Sequence, residues 1–224
     1  MKPKYIKTTC RGCHGGCGVI VKVENNKKVW IEFRLVGKII SMRILLHICC
    51  ANCAIYPVKA LREAGWDVMG FFYNPNIHPY KEFEKRMNTL KEYAPTVNLR
   101  VIYDETYPLK EFLQKIAFRE SKRCFFCYQM RLLRSAKMAK KSKFDAFTTT
   151  LLFSKHQNQK LIKELGEAAA KEVGIPFHFQ DFSVGWEEGG RISRELDLYR
   201  QQYCGCIYSE MERFYKPRKK GGRS

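Results

Sequence analysis

From Met42 onward, strand-like and helix-like patterns alternate without a break, and this alternation restricts the fold more than any other feature of the chain. The apolar run Ile44, Leu45, Leu46 and Ile48, interrupted only by His47, predicts a short buried strand over 42–48. A helix near 54–64 closed by Gly65, a strand at 67–73, a helix near 80–93 and a strand at 97–103 follow. Next come a helix near 108–119, a long helix opened by Cys124 and reaching about 141, and a strand at 144–150. The last elements are a helix near 157–173, a strand at 175–180, a helix near 187–200, and a turn at Cys204 and Cys206 leading into a short tail. Repeated strand–helix units argue for an α/β fold with a mainly parallel, Rossmann-like sheet and helices on both faces. In such a sheet the residues that follow the strands converge on one edge, where ligands bind. That edge collects Cys49 and Cys50, Asn74 and His78, Asp104, Thr149, Thr150 and Ser154, and Asp181. The first strand is not followed by G-x-G-x-x-G or a P-loop, so the usual cradles for nucleotide phosphates are missing.

Residues 1–41 read as a separate Cys-rich β-hairpin appendage, 42–215 as the main domain and 216–224 as a basic tail. Cys10, Cys13 and Cys17 stand in a C-x2-C-x3-C pattern, and two alternating runs then flank Asn25 and Asn26 in the manner of a hairpin. The segment resembles the amino-terminal iron–sulfur segment of molybdopterin oxidoreductases, in which three close cysteines and a distant fourth hold a cluster. No region bearing that fourth cysteine follows. A truncated cluster domain, a zinc site using His14, a remnant, and a misplaced start joined to a domain beginning at Met42 are all open readings. The lysine-rich start runs into cysteines and glycines instead of an apolar core, which excludes a secretory signal and makes a cytoplasmic location the expectation. The apolar stretch 39–55 is broken by Arg43, His47 and Asn52, so no membrane span is predicted.

The ten cysteines fall in tight clusters, and in a reducing compartment such clusters read as metal ligation or redox catalysis. Cys124 and Cys127, three apart at the start of a helix, face the same side. The helix N-terminus and the neighbouring Arg123 favour their thiolate form. With Cys49 and Cys50 they make four thiolates, the set required by a [4Fe–4S] cluster or a structural zinc. Side chains of adjacent residues diverge from an extended backbone, which suits separate corners of a cubane better than one tetrahedral ion. Cys204 and Cys206 close a very small ring when oxidised, and strained disulfides are readily reduced and catalytic; a further metal-ligand pair is the other reading. Cys53 is either a ligand to a second metal or a small apolar side chain on a first helical turn.

Forty-one Lys and Arg against 22 Asp and Glu give a net charge of +19, which favours a polyanionic partner, nucleic acid ahead of an anionic membrane. Eleven of these cations lie between Lys110 and Lys143, interleaved with Phe125, Phe126 and Tyr128, a composition suited to stacking unpaired bases. His47 reads as a hydrogen-bonded core residue. His78, in a Pro-flanked loop, is a candidate for substrate or proton contact.

Five segments, LLHICCANC, GFFYNPNIHPYKEFEKR, RCFFCYQMRL, FDAFTTTLLFSKHQN and LYRQQYCGCIYSE, occur in this order. Through them the chain resembles the QueH-type epoxyqueuosine reductases over nearly all of residues 42–215. The resemblance implies a two-electron reduction of epoxyqueuosine, at the wobble position of tRNA, to queuosine, the last step of that nucleoside's biosynthesis. It further implies a [4Fe–4S] cluster on Cys49, Cys50, Cys124 and Cys127, with Cys204 and Cys206 as a redox-active pair. An additional iron or other metal ion beside the cluster is implied too, with Cys53 or one of Cys204 and Cys206 as candidate ligand. The implied partners are tRNA and an external electron donor. Asp181 and His78 are by position the candidates for the acid that protonates the leaving oxygen. The chain departs from the family after Asp181, where FSVGWEEGGRIS stands in place of a more basic run. A zinc-stabilised RNA-binding module without catalysis and a thiol–disulfide oxidoreductase are the competing classes.

Overall fold

The structure is a computed structural model. It describes residues 42–216 and, ahead of them, the backbone of the strands within 4–39. The chain divides into two units, Met1–Met42 and Arg43–Ser224. In the first, β1 (Lys4–Thr9), β2 (Gly18–Glu24), β3 (Lys27–Leu35) and β4 (Lys38–Ile39) form an antiparallel sheet in sequence order. The β2–β3 pair matches the predicted hairpin; β1 and β4 extend it on both sides. Cys10, Cys13, Cys17, Asn25 and Asn26, and the tail from 217 onward, lie outside the described residues.

The second unit contains β5 (Arg43–Ile48), α1 (Ala51–Glu63), β6 (Asp67–Phe72), α2 (Tyr80–Thr96), β7 (Val101–Tyr103), α3 (Leu109–Ile116), α4 (Arg123–Lys141), β8 (Ala146–Thr149), α5 (Gln159–Val173), α6 (Trp186–Glu195) and α7 (Ile207–Phe214). Its four strands run parallel in the order β7-β6-β5-β8. Helices α1, α2 and α6 pack together, as do α4 and α5, so the sheet lies between two helical layers. Strand β5 has a neighbour on each side and helices over each face, which is why it reads as an almost continuous apolar run. His47 breaks that run because its ring is satisfied inside the core: Nδ1 lies 2.8 Å from Thr149 Oγ1 and Nε2 3.0 Å from the Tyr73 carbonyl oxygen. Among the described residues no helix is long and apolar enough to cross a membrane.

Three expectations require correction. The segment 175–180 is not a strand; it makes a single bridge between Phe147 and Phe177, and Pro176 has no N–H to extend the ladder. The strand predicted from residue 97 starts only at Val101, because α2 runs to Thr96 and the chain then turns at Asn98 with φ +51°. After Cys206 the chain forms α7 instead of a short tail. That helix has no buried residue: its stripe of Ile207, Met211 and Phe214, spaced i, i+4, i+7, stays exposed.

Candidate thiol active site

At the end of β5 the chain bends at Cys49 and enters α1, with Cys50 at the position just ahead of the helix and Cys53 in its first turn. The three sulfurs lie within 4.8 Å of one another, and Cys49 Sγ is 3.8 Å from Cys50 Sγ. The turn from strand to helix thus folds the adjacent side chains together, contrary to the divergence an extended backbone predicts. Cys53, ambiguous from its spacing, belongs to this group.

The three thiols are electrostatically unequal. Hydrogen bonds from Cys50 and then Cys53, helped by Arg131 and Thr150 against the effect of burial, hold Cys49 well below the usual thiol range. Cys50 is pushed up to about 12 by the same bond seen from the other side, and Cys53 is raised well above its ordinary value. Cys49 is therefore the most acidic of the three thiols.

Cys124 and Cys127 open α4, the first exposed and the second buried. Burial pushes Cys127 up to about 12 despite Arg131, and burial likewise raises Cys124 despite Arg123. The thiolate form predicted from the helix N-terminus and Arg123 is thus outweighed by desolvation in the metal-free protein. Cys204 and Cys206 stand close enough to both thiols for their charges to add to these shifts.

The loop bearing Cys204 and Cys206 is held by backbone contacts. Gly205 has φ +143°, and a Cβ there would lie 3.1 Å from Asn76 Nδ2 and 3.2 Å from Ile77 Cγ1, so glycine suits this position on both counts. The His78 N–H donates to the Gly205 carbonyl at 2.8 Å. The Arg86 guanidinium donates to the carbonyls of Tyr203 and Cys204 at 3.0 and 2.9 Å, and pairs with Glu82 at 2.6 Å. Exposed Cys204 accepts from Gln157 Nε2 at 3.5 Å, whereas buried Cys206 caps α7 by accepting from the Ser209 N–H at 3.4 Å.

A cavity of about 360 Å³ brings Cys49, Cys53 and Cys204 together with Arg131, Thr150 and His156. Arg131, one turn beyond Cys127, donates toward Cys127 Sγ at 3.7 Å and Asn74 Oδ1 at 2.9 Å, and its Nε stands 3.3 Å from His47 Nε2. Gln201, on the same cavity, donates to Cys50 Sγ at 3.1 Å. The two residues proposed by position as acids are placed elsewhere. Asp181 is exposed and accepts from the Ser183 N–H at 2.8 Å. The His78 ring packs against Tyr107 and Phe112, donates to the Pro75 carbonyl at 3.1 Å, and is lowered to about 4 by burial. Neither side chain lines the cavity. Asp104 also lies outside it, paired with Arg134 at 3.0 Å. Sequence reasoning passed over Arg131 because it sits in a run of surface cations; its spacing four residues from Cys127 is the signal that it shares that thiol's face.

Cys49, Cys50 and Cys53 at the carboxyl end of β5, with Cys204 on the same cavity as two of them, define an α/β protein whose site suits metal binding or thiol redox chemistry. Residues 44–212 match the family model of epoxyqueuosine reductase QueH. The chain belongs to that family and is an oxidoreductase. The epoxyqueuosine reductase QueH of Dehalococcoides mccartyi is 37% identical over 175 residues, covering 78% of this chain and 96% of that one. The Thermotoga maritima enzyme of the same name is 37% identical over 180 residues, covering 76% and 91%. Residues 3–34 match the Molybdopterin oxidoreductase Fe4S4 domain. Among solved structures, the U34-tRNA thiolase NcsA from Methanococcus maripaludis with its [4Fe-4S] cluster aligns at a TM-score of 0.47 and 10% identity, over 75% of this chain and 61% of that one.

Proposed function

We propose that this chain reduces the epoxide of epoxyqueuosine in tRNA to the alkene of queuosine. The observation that carries this reading is the gathering of Cys49, Cys53 and Cys204 on one cavity, with Cys127 joined to it through Arg131. The donor set fits an iron–sulfur cluster: free thiols dominate it, and His47, two residues ahead of Cys49, already spends both nitrogens in the core. Cys49, Cys50, Cys124 and Cys127 would hold a [4Fe–4S] cluster, and the grouping of Cys53 with the first two supports it as ligand to an additional metal ion. Such a cluster supplies electrons one at a time when bound.

Breaking both C–O bonds of an epoxide, with loss of the oxygen as water and formation of a C=C bond, consumes two electrons and two protons. Oxidation of the Cys204/Cys206 dithiol to a disulfide releases two of each, so the step balances, and an external electron donor restores the dithiol. Cys204, exposed on the cavity, is the thiol that substrate can reach; Cys206 stays buried as its resolving partner. His156 lines this cavity and also an adjoining groove of about 710 Å³ formed by Lys122, Cys124, Phe125, Phe126 and Tyr128. A groove with aromatic walls and Lys122 in its lining, leading away from the thiols, supports an anticodon loop as the substrate-bearing strand.

The test is anaerobic purification, iron and sulfide analysis, and multiple turnover on tRNA containing epoxyqueuosine. About four irons per chain, the content of one cubane, and activity lost in Cys204→Ser and Cys206→Ser support the proposal. Full turnover in both variants with iron unchanged would end the dithiol role, and a colourless zinc protein would end the reductase reading.

A further inference from the structure

Arg131 turns inward from α4 and is only 2% exposed. A buried cation demands a counter-charge, since desolvation without one is costly. Arg86, equally buried, has Glu82 at 2.6 Å. Arg131 has no carboxylate partner among the described residues: its contacts are His47, Asn74 and Cys127. Neither the Asn74 amide nor the His47 imidazole can supply a negative charge. Only sulfur remains: Arg131 reaches Cys127 Sγ at 3.7 Å and lines the cavity that also holds Cys49, Cys53 and Cys204.

We propose that Arg131 is the built-in counter-cation of the thiol centre: its charge offsets that of the thiolates and, in the iron-loaded protein, raises the centre's reduction potential. It acts as a positioning and tuning residue for which no contact with substrate is required. The second part rests on the cluster reading given above. Reducing a thiolate-ligated cluster adds negative charge, so a fixed positive charge beside it favours the reduced form, and removing that charge lowers the potential.

The experiment compares Arg131→Met, which removes the charge, with Arg131→Lys, which keeps it but loses the fork that spans His47 and Asn74. Iron and sulfide are measured first, then the midpoint potential by anaerobic spectroscopic titration. The expected result is at least a tenfold shift of Arg131→Met toward the oxidised form, about 59 mV for one electron, with Arg131→Lys within threefold of the unaltered protein. Loss of iron from Arg131→Met alone supports the same conclusion. An iron-loaded Arg131→Met at the unaltered midpoint overturns it, and so does equal loss of iron from both variants, because shape and not charge would then be what the side chain supplies. If the unaltered protein carries no iron, the cluster reading fails on its own. The counter-charge is then judged by alkylation of Cys49 at pH 7, which Arg131→Met slows tenfold and Arg131→Lys does not; equal rates overturn it.

Discussion

Arg86 Nη1 donates to the carbonyl oxygen of Cys204 at 2.9 Å across 118 residues of chain, and so fastens the thiol-bearing loop to α2. Replacing Arg86 by Met leaves Glu82 buried without its cation, although Tyr199 still donates to it at 2.6 Å. Urea denaturation is expected to show a loss of ~3–5 kcal/mol. The double variant Arg86→Met/Glu82→Gln should recover part of that loss, since it removes both charges. Simple addition of the two single effects would show that the pair is not coupled.

Gly205→Ala forces a side chain onto φ +143° and against Asn76 and Ile77. A destabilisation of ~1–3 kcal/mol is expected from the backbone alone. Because the glycine separates the two thiols, the variant should also slow turnover while its iron content stays unchanged. A variant with native stability and turnover would show that the loop relaxes freely.

Serine at Cys49, Cys50, Cys124 or Cys127 should lower iron and sulfide together to near zero. Serine at Cys53 should keep about four irons, the content of a cubane, and lose only the additional metal. Metal and sulfide analysis of the five variants decides the matter: equal loss in all of them would move Cys53, which lies within 4.8 Å of Cys49 and Cys50, into the cluster's own ligand set.

Stability should fall in mild acid because of His47. Its folded pKa is lowered from 6.5 to about 3, by burial first and by Arg131 second, so below pH 6.5 the unfolded chain binds a proton that the folded chain refuses. The contribution is complete above pH 6.5 and is lost as pH falls toward 3, at about 1.4 kcal/mol per pH unit. Between pH 6.5 and 5 the protein should lose about 2 kcal/mol more than His47→Asn does. Parallel pH profiles for the two proteins in chemical denaturation would show that His47 does not carry the slope.

The groove beside Cys124 makes separable predictions for RNA binding. Phe125→Ala should weaken binding to tRNA by ~1–3 kcal/mol through lost stacking and leave the salt dependence intact. Lys122→Ala should reduce the slope of log K against log salt by about 1. Filter binding over a salt series measures both, and unchanged affinity in the two variants would place the RNA elsewhere.

The parallel sheet was legible because its strands carry strong local signals: Ile44 to Ile48 is apolar on both faces, and each crossover helix has its own periodicity. The cysteine groups were visible as spacings, yet their mutual placement depends on contacts across more than a hundred residues, such as Cys49 with Thr150. The roles of Arg131 and Arg86 were hidden because charge in sequence says nothing of burial. Asp181 and His78 lie off the cavity for a related reason. Both follow predicted strands, but 175–180 is not part of the sheet, and the His78 ring turns into an aromatic cluster.

The turns at 64–66, 97–100 and 142–145, which lead into β6, β7 and β8, lie on the rim of the sheet opposite the sulfurs. Six residues of β5 separate the two rims, roughly 20 Å at the rise of an extended chain. A fluorophore, an affinity peptide or an electrode tether attached at those turns stays a strand's length from the chemistry, so that rim is where the molecule can be wired or labelled while its reactive end remains open.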